Sequence, residues 1–229
     1  MKNDYNIEHI IEDFYKKGYT SFLNPNEYMN VINRLPKKKV NIYKGYIDAS
    51  KVIIYNNIFP KIVLCKIEFN NSIRHQKVLR ELYELGLKDN TFGDIIIDNN
   101  IAYIYLLEDM FEYIKYNFEL RNIKIISIDS IPLDSLEEYK NNYEEIELLV
   151  SSLRIDNVIS SLINTSRSLV LDKFKNKEVN LNYNVISKNN IYLKEGDIFS
   201  IRRYGKYKYN GVLKETKKGS MVISISKYL

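Results

Sequence analysis

"SSLRIDNVISSLINTSRSLVLDKF", residues 151–174, contains two short amphipathic stretches parted by a polar break. Leu153, Val158, Ile159, Leu162 and Ile163 recur at helical spacing, and Leu169, Val170 and Phe174 form a second apolar face. Thr165 or Ser166 can cap the second helix, whose first-turn amides then point outward with partial positive charge. Each stretch opens on an arginine beside a small polar or acidic residue, Arg154 before Asp156 and Arg167 between Ser166 and Ser168. Guanidinium forks beside helix-start amides suit phosphate groups. Downstream, "EVNLNYNVI" and "IFSIRRYGKYKYNGV" read as strands joined by the turn "LKEGD". The segment therefore reads as two helices on a small, mostly β scaffold.

Charge sets this end apart. Residues 151–229 hold 15 Lys/Arg against 6 Asp/Glu, a net of +9, whereas residues 1–150 hold 19 against 23, a net of −4. A mildly acidic body with a basic end is expected where one module meets a polyanion. The single cysteine, Cys65, lies in an apolar run that reads as a buried strand and excludes an internal disulfide or a CxxC site. With two histidines in different helices, no zinc site is expected, and no cofactor is implied. No run of 18 apolar residues spans a membrane, and no signal peptide is read, so the cytoplasm is the expected compartment.

Upstream, Ile7, Ile10, Ile11 and Phe14 mark a first helix; Asn24-Pro25 starts a second as N-cap and first helical residue. "VNIYKGY" and "KVIIYNN" read as strands with a turn near Gly45. Residues 61–130 follow the order βαββαβ. Their elements are "KIVLCKIEF", the helix "SIRHQKVLRELYELGL" with Ser72 as its cap, strands joined by Asn99-Asn100, the helix "EDMFEYIKYNFEL" and "IKIISID". That is the ferredoxin-like pattern, which hosts many functions. Residues 131–150 read as a partly helical connector whose Glu144, Glu145 and Glu147 form a solvated helix face. The fold class is α+β: an N-terminal mixed helical and β domain (1–60), a middle ferredoxin-like domain (61–130), the connector (131–150) and a C-terminal basic domain (151–229).

Within 153–201 the run Arg154-Ile155-Asp156, Ser166-Arg167, Val179-Asn180-Leu181-Asn182 and Gly196-Asp197-Ile198-Phe199-Ser200-Ile201 resembles an S4 RNA-binding domain. "TSFLNPNE", "YKGYIDASK", "RHQKVLRELYELGLKDNTFGDIII", "RRYGKYKY" and "TKKGS" are similar, in order, to segments of the YlmH family of bacterial proteins with a C-terminal S4 domain. The resemblance implies a monomeric, non-enzymatic factor. It implies binding to ribosomal RNA of the large subunit and ribosome-associated quality control of stalled peptidyl-tRNA, with transfer RNA as an open second partner. The chain departs from the family where Lys177 replaces a glycine, where Arg203 and Lys206 replace a glycine and an arginine, and where His75 is followed by Gln76. Lys177 in place of glycine would have to take a left-handed conformation or shift it to Asn176.

The candidate RNA contacts are Arg154, Ser166, Arg167, Lys173, Lys175, Lys177, Asn182, Arg202, Arg203, Lys206 and Lys208. Arg74, His75, Lys77, Arg80 and Lys88 form a candidate second contact. Each has a simpler reading beside it: Arg154 and Asp156 as a cap and ion pair, Ser166 as a cap, the lysines as a solvated face, His75 as a surface residue. Arg154 and Arg167 are both expected to be exposed. The alternative function is an S4-anchored RNA-modifying enzyme of pseudouridine synthase or methyltransferase type. Against it, only about 75 residues follow Arg154-Ile155-Asp156, and the eight glycines form no nucleotide-binding cluster. Duplex DNA binding is a weaker third reading.

Overall fold

The computed structural model describes residues 2–36, 40–217 and 219–228, with side chains from residue 7 onward. It divides into two compact units, residues 1–140 and 141–229.

In the first unit, helices α1 (Lys2–Lys17) and α2 (Pro25–Ile32) pack with the hairpin of β1 (Asn41–Tyr43) and β2 (Ile53–Tyr55). Asn24 and Glu27 form the reciprocal capping box at the start of α2, with Pro25 at the first helical position. Ile7, Ile10, Phe14 and Val31 are buried together with Leu23, Val52 and Ile54. Gly45 takes φ +80, and a Cβ there would sit 2.9 Å from the Tyr105 ring, whose hydroxyl donates to the Gly45 carbonyl (3.0 Å). The close approach requires glycine.

The same unit continues through β3 (Ile62–Phe69), α3 (His75–Glu84), β4 (Phe92–Asp98), β5 (Ile101–Leu107), α4 (Glu108–Asn117) and β6 (Ile125–Ile131). All pairings are antiparallel, in the order β4-β5-β3-β6. Alternation along β3 buries Cys65, Ile67 and Phe69 against Val78 and Leu82 of α3 and Phe111 and Ile114 of α4. Burial, helped by Asp129, pushes the Cys65 thiol up to about 12. Asn99 supplies the left-handed residue of the β4–β5 turn. The cap of α3 departs from expectation: Arg74, not Ser72, occupies the N-cap position, and no side chain caps the helix.

The first unit's two halves are clasped by Lys51. Its ammonium donates to the Asp89 carbonyl (2.6 Å) and carboxylate (3.0 Å) and to the Phe92 carbonyl (3.1 Å), while lying 4.3 Å above the Phe92 ring. Beside it, Asp94 accepts from Tyr46 Oη (3.1 Å) and the amides of Ser50 (2.5 Å) and Lys51 (3.2 Å). The segments "YKGYIDASK" and "GLKDNTFGD" are thus two sides of one polar joint.

The second unit is a six-stranded antiparallel sheet with two helices. Its elements are β7 (Tyr143–Val150), α5 (Ile155–Leu162), α6 (Arg167–Lys175), β8 (Val179–Leu181), β9 (Asn184–Val185), β10 (Ile198–Ile201), β11 (Gly205–Glu215) and β12 (Met221–Tyr228), in the sheet order β7-β12-β11-β10-β8-β9. Three expectations are corrected. Residues 143–150 are a strand rather than a partly helical connector: Ile146, Leu148 and Val150 alternate inward. Glu144 and Glu145 bind across to β12 through Lys227 Nζ (2.7 Å) and Ser226 Oγ (2.5 Å). Their spacing satisfied a helix on paper, but only period 2 buries the three apolar side chains. "EVNLNYNVI" is a hairpin, turned by Asn182 and Tyr183, both left-handed. "IFSIRRYGKYKYNGV" is likewise two strands, turned at Arg202-Arg203-Tyr204 with Arg203 at φ 73.

The two helices are stacked on one sheet face. Ile155, Val158, Ile159, Val170 and Phe174 join Val179, Phe199, Ile201, Tyr207, Ile223 and Ile225 in one core. Leu169, expected in it, is 57% exposed, because α6 buries the i, i+4 pair Val170 and Phe174. Asn164, at φ 48, ends α5, with Asn164 N–H bonded to Ser161 O and Thr165 N–H to Ser160 O. Ser166 follows at once as N-cap of α6, its hydroxyl accepting from Leu169 N–H (3.4 Å). The same double bond closes α6, from Lys177 N–H to Phe174 O and Glu178 N–H to Lys173 O. Here the left-handed residue is Lys177 at φ 58. Non-glycine residues there cost about 1–2 kcal/mol, part of which glycine's larger unfolded-state entropy cancels. Lys177→Gly is therefore expected to raise stability by about 0.5–1 kcal/mol in equilibrium urea unfolding.

Candidate nucleic-acid interface

Asp156 organises the start of the helix pair. It is only 5% exposed, and its two oxygens accept from Arg154 Nε (3.1 Å) and Nη2 (2.7 Å), from Asn189 Nδ2 (2.8 Å) and from the Asn157 amide (2.9 Å). Burial alone would raise the carboxyl; the bonds from Arg154 and Asn189, the Arg154 charge and the Asn157 amide outweigh it and hold Asp156 below its ordinary 3.8. Asn157 continues the chain of contacts. Its Nδ2 donates to Ser151 Oγ (3.0 Å) and Ser152 O (2.9 Å), and its Oδ1 accepts from Arg167 Nη2 (3.0 Å). One dipeptide, Asp156-Asn157, therefore aims both arginines.

The two arginines are not equivalent. Arg167 is exposed, leaning on Asn157 with one amino group. Arg154 has 39% of its side chain exposed and spends its fork on Asp156. The expectation that both are exposed holds for Arg167; for Arg154 it is corrected by the bidentate pair, since a buried carboxylate needs a cation and donors to stay ionised.

The remaining candidates fall into separate groups. Lys173 is paired with Glu178 Oε2 (3.3 Å) and sits 4.8 Å above the Tyr204 ring, docking the β10–β11 turn on the end of α6. The Arg202 amide donates to Glu178 O (2.9 Å) in the same joint. Lys175, bonded to Asp172 Oδ1 (3.1 Å), and Lys177, Arg202 and Arg203 are exposed around it. These cations and Arg167 occupy opposite ends of α6, roughly 12 Å apart at 1.5 Å per residue. Ser166 is the helix cap. Asn182 ties the β8–β9 turn to β10, donating to Asp197 Oδ1 (2.8 Å) and accepting from Ile198 N–H (2.9 Å). Lys206 and Lys208 stand opposite Ser200 and Ile198, on the sheet face turned away from the helices.

In the first unit, Arg74, His75, Lys77 and Arg80 are exposed along the first turns of α3, Arg80 beside Glu84 (3.2 Å). Lys88 lies past the other end of α3, and the structure does not bring it to them. Among the described residues no group of three His, Cys, Asp or Glu is placed to hold a metal ion. No helix among them is long and apolar enough to cross a membrane. Reading by sequence offered Asp156 as the ion-pair partner of Arg154, on a solvated rather than a buried helix face, and missed Asn157 and Asn189 as further supports of the arginines. Asn157 was legible as a polar residue on an otherwise buried helix face; Asn189, 33 residues beyond Asp156, was not.

Two outcomes follow from this geometry. Arg154→Ala is expected to lower the urea midpoint of the second unit, while Arg167→Ala leaves it nearly unchanged. Because the folded carboxyl titrates below its ordinary value, its stabilisation is complete above the ordinary carboxylate range and is lost as pH falls through the folded value. The stability difference between wild type and Asp156→Asn should therefore be largest near neutrality and shrink below pH 3.8.

Comparison with known proteins follows the same segments. The family described as "Putative RNA-binding domain in YlmH" matches residues 59–135, which run from just before β3 to the 3-10 turn after β6. The ribosome-associated protein quality control protein P2 of Bacillus subtilis (strain 168) is 24% identical over 225 residues, covering 91% of this chain and 86% of that protein. The solved structure of cell division protein ylmH from Streptococcus pneumoniae aligns at 16% identity with a TM-score of 0.47, over 58% of this chain and 91% of that one. The ordered segments of the sequence, the match over the middle sheet and the relative aligned across most of the chain agree in making this protein similar to the YlmH family.

Proposed function

We propose that this chain is a non-enzymatic RNA-binding protein of the cytoplasm that associates with ribosomal RNA of the large subunit in quality control of stalled peptidyl-tRNA complexes. The second unit acts as an S4-type RNA anchor and the middle sheet as a ferredoxin-like RNA-binding domain. The strand order β4-β5-β3-β6 with both helices packed on it supports the ferredoxin-like assignment. The pair α5 and α6, joined by a minimal turn and seated on a sheet, supports the S4 assignment, with the domain extended back to β7. The relative's name supports the ribosomal setting.

One observation carries the reading. Arg167 is exposed and aimed by Asn157 at the start of α6, while Lys175, Lys177, Arg202 and Arg203 are exposed at its end, in a segment of net charge +9. Two cationic points on one short helix, with few base-reading side chains between them, fit a folded RNA backbone recognised by shape and phosphate. Arg154 belongs to the support of this surface, so its role is to hold Asp156 and thereby the arginine beside it.

The test is sucrose-gradient sedimentation of tagged protein, wild type beside Arg167→Ala/Arg203→Ala. Wild type is expected with large subunits and the folded variant at the top. In binding to isolated ribosomal RNA, each phosphate contact removed should flatten the plot of log affinity against log salt by roughly 0.7–0.9. A folded variant that sediments and titrates like wild type removes this surface from the interface.

A further inference from the structure

The open face of the second sheet carries its own aromatic stripe. Lys206 Nζ lies 5.0 Å from the centre of the Tyr183 ring and 4.4 Å from that of Tyr228. Tyr228 meets Tyr143 edge-on at 4.9 Å. The register places these groups in one row: Asn180 opposite Ser200, Ser200 opposite Lys206, and Tyr228 opposite Tyr143. Residues directly opposite share a face, and the alternating Phe199, Ile201, Tyr207 and Ile225 point into the core under α5 and α6. The stripe therefore lies on the side away from Arg167. A hollow of about 120 Å³ opens within it, lined by Asn180, Tyr183, Ile198, Phe199, Ser200 and Lys206.

We propose that this face is a second binding site, for a short unpaired stretch of RNA, a reading that rests on the RNA-binding function proposed above. Bases of an unpaired strand stack on Tyr183 and Tyr228, and the phosphate between them meets Lys206, with Lys208 one row further along. Aromatic rings flanking a cation on a flat sheet match single-stranded nucleic acid, because every base has a stacking face and paired bases have theirs occupied. The far end of the face is closed to phosphate. Glu145, held by Ser224, Ser226 and Asn210, and the exposed Glu147 stand on β7 and set the boundary near Tyr228. The site thus spans a few nucleotides and adds to the helix-side surface, which takes folded RNA.

The probes are a fluorescein-labelled oligouridylate decamer and an RNA stem–loop, titrated by anisotropy into the full chain. Loss of stacking in Tyr183→Ala/Tyr228→Ala is expected to weaken the oligouridylate about tenfold or more and to leave the stem–loop nearly unchanged. The Phe pair at the same positions should restore binding, and Arg167→Ala should show the opposite pattern. If the alanine pair distorts the sheet, Lys206→Gln gives a second, milder loss on oligouridylate alone. The proposal is overturned if wild type binds the stem–loop but not oligouridylate, or if the folded alanine pair binds both as wild type does. Failure of wild type to bind either RNA overturns the RNA-binding reading itself, and this site with it.

Discussion

The second unit turns on a single buried anion. Asp156 has given up most of its hydration, and an ionised carboxylate in that position persists only with a cation and several donors around it. Arg154, Asn189 and the Asn157 amide supply them, drawing the start of α5 and the loop before Leu193 to one point. Once α5 begins there, Asn157 faces Arg167, and the short turn through Asn164 and Ser166 leaves α6 little choice of direction. The exposed guanidinium is thus placed by a chain of contacts that begins in a buried carboxylate.

Left-handed residues shape the rest of this unit. Asn164, Lys177, Asn182, Tyr183 and Arg203 all take positive φ, at a helix junction, a helix end and two hairpin turns. Asparagine tolerates that region; lysine, tyrosine and arginine do so at a cost. At Lys177 and Arg203 the strained position carries an exposed positive charge, so backbone strain and electrostatic attraction sit on the same residues.

How much of this was legible depended on whether the signal was local. The capping box at Asn24, the order of elements from β3 to β6 and the helix pair around Asn164–Ser166 were readable, because caps, periods and breaks lie within a few residues. The strand β7 was misread because its glutamates gave a plausible helix face, and only pairing with β12, more than 70 residues away, decides between the two periods. The division of the basic candidates was also hidden. Lys206 is three residues from Arg203 in sequence, yet the turn at 202–204 and the alternation of β11 send it to the face away from the helices. Lys51 shows the same limit: its partners Asp89 and Phe92 are some 40 residues on.

The pairing of β7 with β12 also bears on how the unit is made. Tyr143 lies opposite Tyr228, so the first strand of the sheet has for its neighbour the last one synthesised. While the chain emerges, α5, α6 and the hairpins up to β11 can form from near neighbours, but β7 waits with an unpaired edge until β12 arrives between it and β11. Such long-range closure is slow, and the sheet is complete only once β12 has paired on both of its sides. A product interrupted before residue 221 would lack the strand that joins β7 to β11, leaving the N–H and C=O groups of both edges unpaired and open to pairing with other chains.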